Sequence, residues 1–403
     1  MNSTLLTIAD AITRIRDHGW NGQFHLNVFM DYLVNFDVLE KARRTFYSHD
    51  AHSLRIFDWR IQHLVTHDFY GFPLPYELEN TPFSNAAWKE LEKQAQAMTS
   101  GFAKNDYLLD RIDTWILESY TLPGRCEAQA GDIVLDCGAY TGNTTLYFSR
   151  KTGPGGHVYG FEAAGDSFSH YIENVGHIKN CTPIRCAVAK ENGVATLGGA
   201  FPAGFSLGQP GEEVATTALD DFISKHNIPR VDFIKMDVEG AEADALLGAA
   251  KLIKRFRPKM ALSVYHKWYD VYDLPDIVRK IDPNYNFYLR HYSHAGAETV
   301  VFCVPDAEQY PPAECRISSE EQAAALKAIF NLMILIDKKR LASLNSQIVM
   351  RPYYTLMRQY EEDCKSMSAT MDQLIKKNEQ MSVENIALKR IVERCAVQGT
   401  AAA

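Results

Sequence analysis

The block Leu135-Asp136-Cys137-Gly138-Ala139-Tyr140-Thr141-Gly142-Asn143-Thr144-Thr145 follows an apolar run and carries two glycines four residues apart. Glycines so placed let a chain turn tightly and approach a ligand where any Cβ would collide. The Gly-x-x-x-Gly spacing is not the Gly-x-Gly-x-x-Gly of a pyrophosphate cradle, and the chain contains no Gly-x-x-x-x-Gly-Lys-Ser/Thr phosphate loop. A ligand with an adenosine but no phosphate remains, and S-adenosylmethionine is such a ligand. Glu162 supports it, ending the next β-type run 24 residues after Gly138, where a carboxylate can accept hydrogen bonds from both ribose hydroxyls. The cofactor is accordingly expected on Asp136, Gly138, Ala139, Tyr140, Gly142, Asn143, Thr144 and Glu162, with Asp237 approaching from a neighbouring strand.

Two further clusters end apolar runs. In Asp232-Phe-Ile-Lys-Met-Asp237-Val-Glu239-Gly240-Ala-Glu242, Asp237 and Glu239 emerge past the last buried position. Ligands of open α/β sheets bind at that carboxyl edge, near the switch in strand order. Carboxylates there could steady the cofactor's amino group, orient a hydroxyl or hold a divalent metal, although no metal ligand set is assigned. The structural alternative for Glu239 and Glu242 is a place at the start of the following helix, favourable by roughly 0.3–1 kcal/mol. In Ser263-Val-Tyr265-His266-Lys267, His266 is a natural base, since its ordinary pKa lies near neutrality. His266, Asp237 and Glu239 are therefore the candidate catalytic residues. Arg290, His291 and Glu298 could line the acceptor side.

The elements that must position these groups are legible as short apolar or β-branched runs between about Gly131 and Pro305: 132–136, 157–162, 182–188, 231–237 and 260–265. Most are separated by segments long enough for a helix, which describes a parallel α/β sheet. The runs 287–292 and 299–304 follow closely on each other and predict a terminal antiparallel hairpin. Between the third and fourth strands lies a Gly/Pro-rich stretch, 198–211, with Phe201 and Phe205, expected as a lid or an irregular connection.

Either side of this region the texture differs. Residues 1–125 are mixed helical and aromatic, with Leu108, Ile112, Trp115 and Ile116 at helical spacing, and predict an acceptor-binding or dimerisation unit. Residues 126–309 form the central domain. Residues 310–403 are expected to be helical, with a capping box at Ser318-x-x-Glu321. A heptad over 367–395 places Met367, Leu374, Met381, Leu388 and Cys395 at one position and Met371, Asn378, Asn385 and Val392 at the other. Buried Asn at such positions sets register in a two-stranded coiled coil, so a homodimer through this segment is expected.

Composition bounds the function. At 403 residues the chain holds two to three domains' worth of sequence, and 42 Lys+Arg against 50 Asp+Glu leave it at −8. That balance gives no electrostatic reason to bind nucleic acid. The most apolar run, 323–336, is broken by Lys327 and Asn331 and is too short to span a bilayer. The first twenty residues have no basic start followed by an apolar stretch, and the eight cysteines never form a Cys-x-x-Cys pair. Both features predict a cytoplasmic protein with reduced thiols.

Together these blocks resemble the FkbM-type methyltransferases. The resemblance rests on Asp136-Cys-Gly-Ala-Tyr-Thr-Gly142, Gly160-Phe-Glu162, Thr217-Ala-Leu-Asp220-Asp221, Asp232 to Glu242, Tyr265-His-Lys267, Tyr288 to Ser293 and Glu298-Thr-Val-Val-Phe302. It departs from many relatives at Tyr140, where they have Asn, and at Glu162-Ala163, where they have Glu-Pro. The resemblance implies a class I methyltransferase fold, a Rossmann-like seven-stranded, mostly parallel sheet with its last strand reversed, carrying a helical N-terminal region and a C-terminal helical or coiled-coil extension. It implies an S-adenosylmethionine-dependent O-methyltransferase acting on a hydroxyl of a sugar, glycan precursor or related small molecule. Two alternatives belong to other classes: a catalytically idle methyltransferase-like scaffold or interaction protein, and an N- or protein methyltransferase. Against the latter, the amino-group motif Asn/Asp-Pro-Pro-Tyr/Phe is replaced by Asp237-Val-Glu239-Gly.

Overall fold

The computed structural model describes residues 36–66, 85–98, 108–199, 206–292 and 297–305. Two units are distinguished, Met1–Arg316 and Ile317–Ala403, and every described residue lies in the first. The helix expected after Ser318 and the heptads of 367–395 lie outside the described residues.

Among the described residues, helices α1 (Phe36–Ala42), α2 (Ala51–Thr66), α3 (Asn85–Met98) and α4 (Leu108–Trp115) come first, with one π turn, Arg43–Tyr47, after α1. The order is then β1 (Ile133–Cys137), α5 (Asn143–Thr152), β2 (His157–Glu162), α6 (Gly165–Val175), β3 (Cys181–Arg185), β4 (Ala187–Val188), β5 (Gly193–Gly198), β6 (Ser206–Leu207), β7 (Glu212–Thr217), α7 (Leu219–Lys225) and β8 (Phe233–Met236). The chain continues through α8 (Glu242–Leu247), α9 (Ala250–Phe256), β9 (Lys259–Ser263), α10 (Asp270–Ile281), β10 (Tyr285–His291) and β11 (Thr299–Pro305).

Strands β1 and β8 are almost wholly apolar and buried, as strands covered on both faces must be. They pair in parallel at the centre of a seven-stranded sheet ordered β10-β11-β9-β8-β1-β2-β3. Only β11 is reversed, running antiparallel to both β9 and β10. This is the sheet that the family resemblance implies. The chain builds outward from β1 through β2 to β3, then returns to β8 on the other side of β1. The crevice between the carboxyl ends of β1 and β8 is the switch point, where ligands of such sheets bind.

The stretch between the third and fourth large strands is more ordered than the sequence suggests. The run 182–188 breaks at Cys186, after which β4 joins a second, four-stranded sheet ordered β4-β7-β5-β6. Two-residue strands and the polar alternation of Glu212–Thr217 carry too little pattern to be seen in advance. Gly198, Ser206, Leu207 and Gly211 thus belong to or border a small sheet, and residues 200–205, with Phe201 and Phe205, lie outside the described residues.

Described residues before 126 share the core of the sheet. Ile112, Trp115, Tyr120, Leu122 and Cys126 pack in one cluster with Phe148, Phe233 and Phe302. Trp115 Nε1 donates to Asn143 Oδ1 at 2.6 Å, tying α4 to the start of α5. Further out, the Ser53 hydroxyl accepts from the Leu289 backbone N–H, and Arg290 pairs with Asp50 at 2.6 Å, fixing α2 against β10. Five cysteines among the described residues, Cys126, Cys137, Cys181, Cys186 and Cys303, are free and buried. Among the described residues no helix is long and apolar enough to cross a membrane.

One tie answers a local defect. Pro275 sits inside α10 and has no N–H to give to the carbonyl of Val271, four residues back. The fully buried Tyr47 hydroxyl donates to that carbonyl instead. Tyr47→Phe leaves the carbonyl without this donor in a dry site and is expected to lower the unfolding free energy by about 1–3 kcal/mol in a urea titration.

Candidate active site

The loop after β1 turns through three left-handed residues, Gly138 (φ 82°), Tyr140 (φ 48°) and Gly142 (φ 89°), before α5 begins. The backbone N–H groups of Gly138 and Ala139 both donate to the Phe161 carbonyl, at 3.0 and 2.9 Å, pinning the loop to the end of β2. A Cβ on Gly138 would stand 1.7 Å from the Asp237 carbonyl oxygen, and one on Gly142 would stand 2.5 Å from the Tyr171 ring. The close approach predicted from the glycine spacing is therefore already made to the protein's own groups, and it presses the two functional loops together.

The predicted cofactor residues divide into braces and rim. Asp136 is fully buried, with Oδ2 accepting from the hydroxyls of Thr144 and Thr145 at 2.8 and 2.5 Å, and Oδ1 lying 3.5 Å from Lys235 Nζ. Lys235, itself buried in β8, also donates to the Cys137 and Gly138 carbonyls. Asp136, Asn143 and Thr144 thus support the loop from beneath, while Ala139 is buried within it. Gly138, Tyr140 and Glu162 remain partly open at the rim. Glu162 accepts from the backbone N–H of Tyr140 at 2.9 Å and of Ala164 at 2.8 Å. Burial raises its carboxyl to about 7 against the pull of these donors. A half-buried carboxylate beside an open turn is a group that could accept hydrogen bonds from a ribose diol.

Across the crevice, Asp237 follows β8 and is gripped by two phenols. Tyr120 OH donates to its Oδ2 at 2.9 Å and Tyr265 OH to its Oδ1 at 3.1 Å. Burial works to raise the Asp237 carboxyl, but Lys235, His266 and the Tyr120 hydroxyl outweigh it and hold it below the ordinary carboxylate range. Glu239, in the left-handed region at φ 53°, does not cap the next helix. Glu242 opens α8 and accepts from the Val238 N–H at 2.9 Å through Oε1.

His266 lies among all three carboxylates. Its Nε2 is 3.4 Å from Asp237 Oδ1 and 3.4 Å from Glu239 Oε2, and its Nδ1 is 2.9 Å from Glu242 Oε1. Burial pushes the imidazole down, but the carboxylates of Glu239, Glu242 and Asp237 prevail and push it up to about 11. In this arrangement His266 is a cation at neutral pH, not a free base.

The acceptor-side expectations separate. Glu298 reaches the Tyr265 hydroxyl at 3.5 Å. Arg290 is turned away to Asp50 and Ser53, and His291 is buried against Trp59 with Nδ1 2.8 Å from the Thr299 hydroxyl. Tyr120, 117 residues before Asp237, carries no sequence signal that would link the two.

Residues 136–289 match the family model of the methyltransferase FkbM domain. Among solved structures, the chain is similar to an FkbM methyltransferase from Methylobacillus flagellatus KT, at 19% identity and a TM-score of 0.47, over 68% of this chain and 60% of that one. Fibrillarin from Aeropyrum pernix, in complex with natively bound S-adenosyl-L-methionine, matches at 18% identity and a TM-score of 0.32, over 47% of this chain and 74% of that one. An O-methyltransferase from Bacillus cereus in complex with SAH matches at 13% identity and a TM-score of 0.30, over 57% of this chain and 96% of that one. The chain therefore spans 60% of the length of its Methylobacillus neighbour. No curated protein matches it in sequence. The family match thus identifies residues 136–289, under half of the chain, as a methyltransferase domain of the FkbM type.

Proposed function

We propose that the protein methylates a hydroxyl, on a sugar, a glycan precursor or a related small molecule. The observation that carries this reading is the contact of the two loops: the Gly138 turn lies directly against the Asp237 carbonyl, so the candidate cofactor cradle and the carboxylate cluster form one site. Bound S-adenosylmethionine would supply an already activated methyl group. Glu162 and the open backbone of Gly138 and Tyr140 would hold its adenosine, and Asp237 would face its charged end. The protein's part is then mainly positioning, which in well-oriented reactions accounts for roughly 7–11 kcal/mol of barrier. An aliphatic hydroxyl must also lose a proton. Glu239, at the rim with a third of its side chain exposed, is the group placed to take it. His266, cationic in this setting, positions Glu239 and Asp237.

Incubation of the full chain with methyl-labelled S-adenosylmethionine and a panel of sugars, nucleotide sugars and extracted glycans tests the proposal. Label retained in the product as a methyl ether, with S-adenosylhomocysteine released, is the expected result. Label appearing on amines or protein, or no transfer to any hydroxyl acceptor, would overturn it. Glu239→Gln should lower kcat by about 10²–10⁴ while S-adenosylmethionine affinity stays within a few-fold.

We also propose that residues 367–395 pair two copies of the chain. Leu374→Glu with Leu388→Glu puts charges into the heptad seam and is expected to convert a dimer to a monomer in light scattering.

A further inference from the structure

We propose that Asp237, Glu242 and His266 form a binding site for a divalent cation of the Mn²⁺ or Zn²⁺ kind. Their donor atoms, one from each residue, all lie within 4.8 Å of one another. Two observations beyond that cluster point to a ligand. Glu242 is 1% exposed, yet its Oε2 has no hydrogen-bond partner. The His266 side chain is 9% exposed, and neither ring nitrogen makes an aligned hydrogen bond, although carboxylate oxygens stand beside both. Buried polar groups are normally satisfied, and leaving one bare costs about 1–3 kcal/mol.

Nδ1 of His266 stands at hydrogen-bond distance, 2.9 Å, from Glu242 Oε1, whereas the spacing on the Nε2 side suits a metal better. An Nε2–Oδ1 separation of 3.4 Å is long for an N–H···O bond. An ion about 2.1 Å from both atoms would see them at roughly 108°, close to the tetrahedral angle. One imidazole and two carboxylates form a mixed N/O donor set, which suits Zn²⁺ or Mn²⁺ better than the all-oxygen cages of Ca²⁺. The elements supply rigidity. Val238 N–H fixes the other oxygen of Glu242, and the phenols of Tyr120 and Tyr265 fix Asp237. The ion would displace the proton that the carboxylates hold on His266, so the cationic imidazole described above is that of the ion-free protein. Ion binding needs neither S-adenosylmethionine nor an acceptor, so the failure of this proposal and the failure of the methyl-transfer reading are distinguishable.

The test uses the full chain, stripped with a chelator and dialysed, and titrated with Mn²⁺ and with Zn²⁺ by calorimetry in the absence of S-adenosylmethionine. Saturable binding of one ion per chain is expected, with a raised thermal midpoint for the loaded protein. Glu242→Gln and His266→Ala should each weaken binding at least tenfold, whereas the surface variant Glu213→Gln should bind like the parent. If Glu242→Gln does not fold, Asp237→Asn carries the same expectation. Absence of saturable binding up to millimolar ion, or unchanged affinity in the folded variants, would overturn the assignment.

Discussion

Gly138→Ala is expected to lower S-adenosylmethionine affinity more than a hundredfold and to destabilise the fold. The added Cβ would stand 1.7 Å from the Asp237 carbonyl oxygen and 2.8 Å from its carbon, both backbone atoms with no rotamer to yield. Alanine at a φ of 82° costs a further 1–2 kcal/mol or so. Nothing nearby can absorb the shift. Gly138 N–H is bonded to Phe161, Asp237 N–H to the Cys137 carbonyl, and Lys235 to the Gly138 carbonyl. The loops must separate, which moves Tyr140 away from Glu162 and opens the crevice that would hold the adenosine. Gly155→Ala is the control, because a Cβ there meets only the Gly131 Cα, at 3.9 Å, and should change stability by no more than about 0.5 kcal/mol. Calorimetric titration and thermal unfolding of the two variants check this. Parent-like affinity in a folded Gly138→Ala protein would mean that the turn does not hold the cofactor.

The main sheet was legible because its strands are short, apolar and spaced by helices, and the glycine turn and Glu162 stand at fixed intervals from them. What escaped the sequence depends on distant partners. Tyr120 meets Asp237, and Tyr47 meets Val271, only because the fold closes over long separations. The role of Asp136 was visible as a carboxylate at a strand end, but not that Thr144 and Thr145 turn it inward. His266 shows the same limit in its charge. An isolated histidine titrates near neutrality, and only the convergence of Glu239, Glu242 and Asp237 converts it from a base into a cation. Burial and counter-charge belong to three dimensions, so a motif gives residue identity and place more readily than protonation state.

Glu162 provides a test in which protonation itself is the readout. Burial raises its carboxyl from 4.5 to about 7, while Tyr140 and Ala164 N–H groups restrain the shift. The ligand-free native protein therefore holds a proton that the unfolded chain has released between these two values. Its unfolding free energy should fall as pH rises from about 4.5 to 7, and Glu162→Gln should remove that slope. Cofactor binding should run the opposite way. Ribose hydroxyls donate to the carboxylate, so affinity is expected to climb by up to about tenfold from pH 6 to pH 8 in the parent. Glu162→Gln should show no such rise and should bind roughly 10- to 100-fold more weakly at pH 8, the loss of hydrogen bonds to a charged acceptor. Titrations at three pH values decide it. A parent whose affinity is flat with pH, or a Gln variant that binds as tightly, would place the ribose elsewhere and leave Glu162 as a brace for the Tyr140 turn.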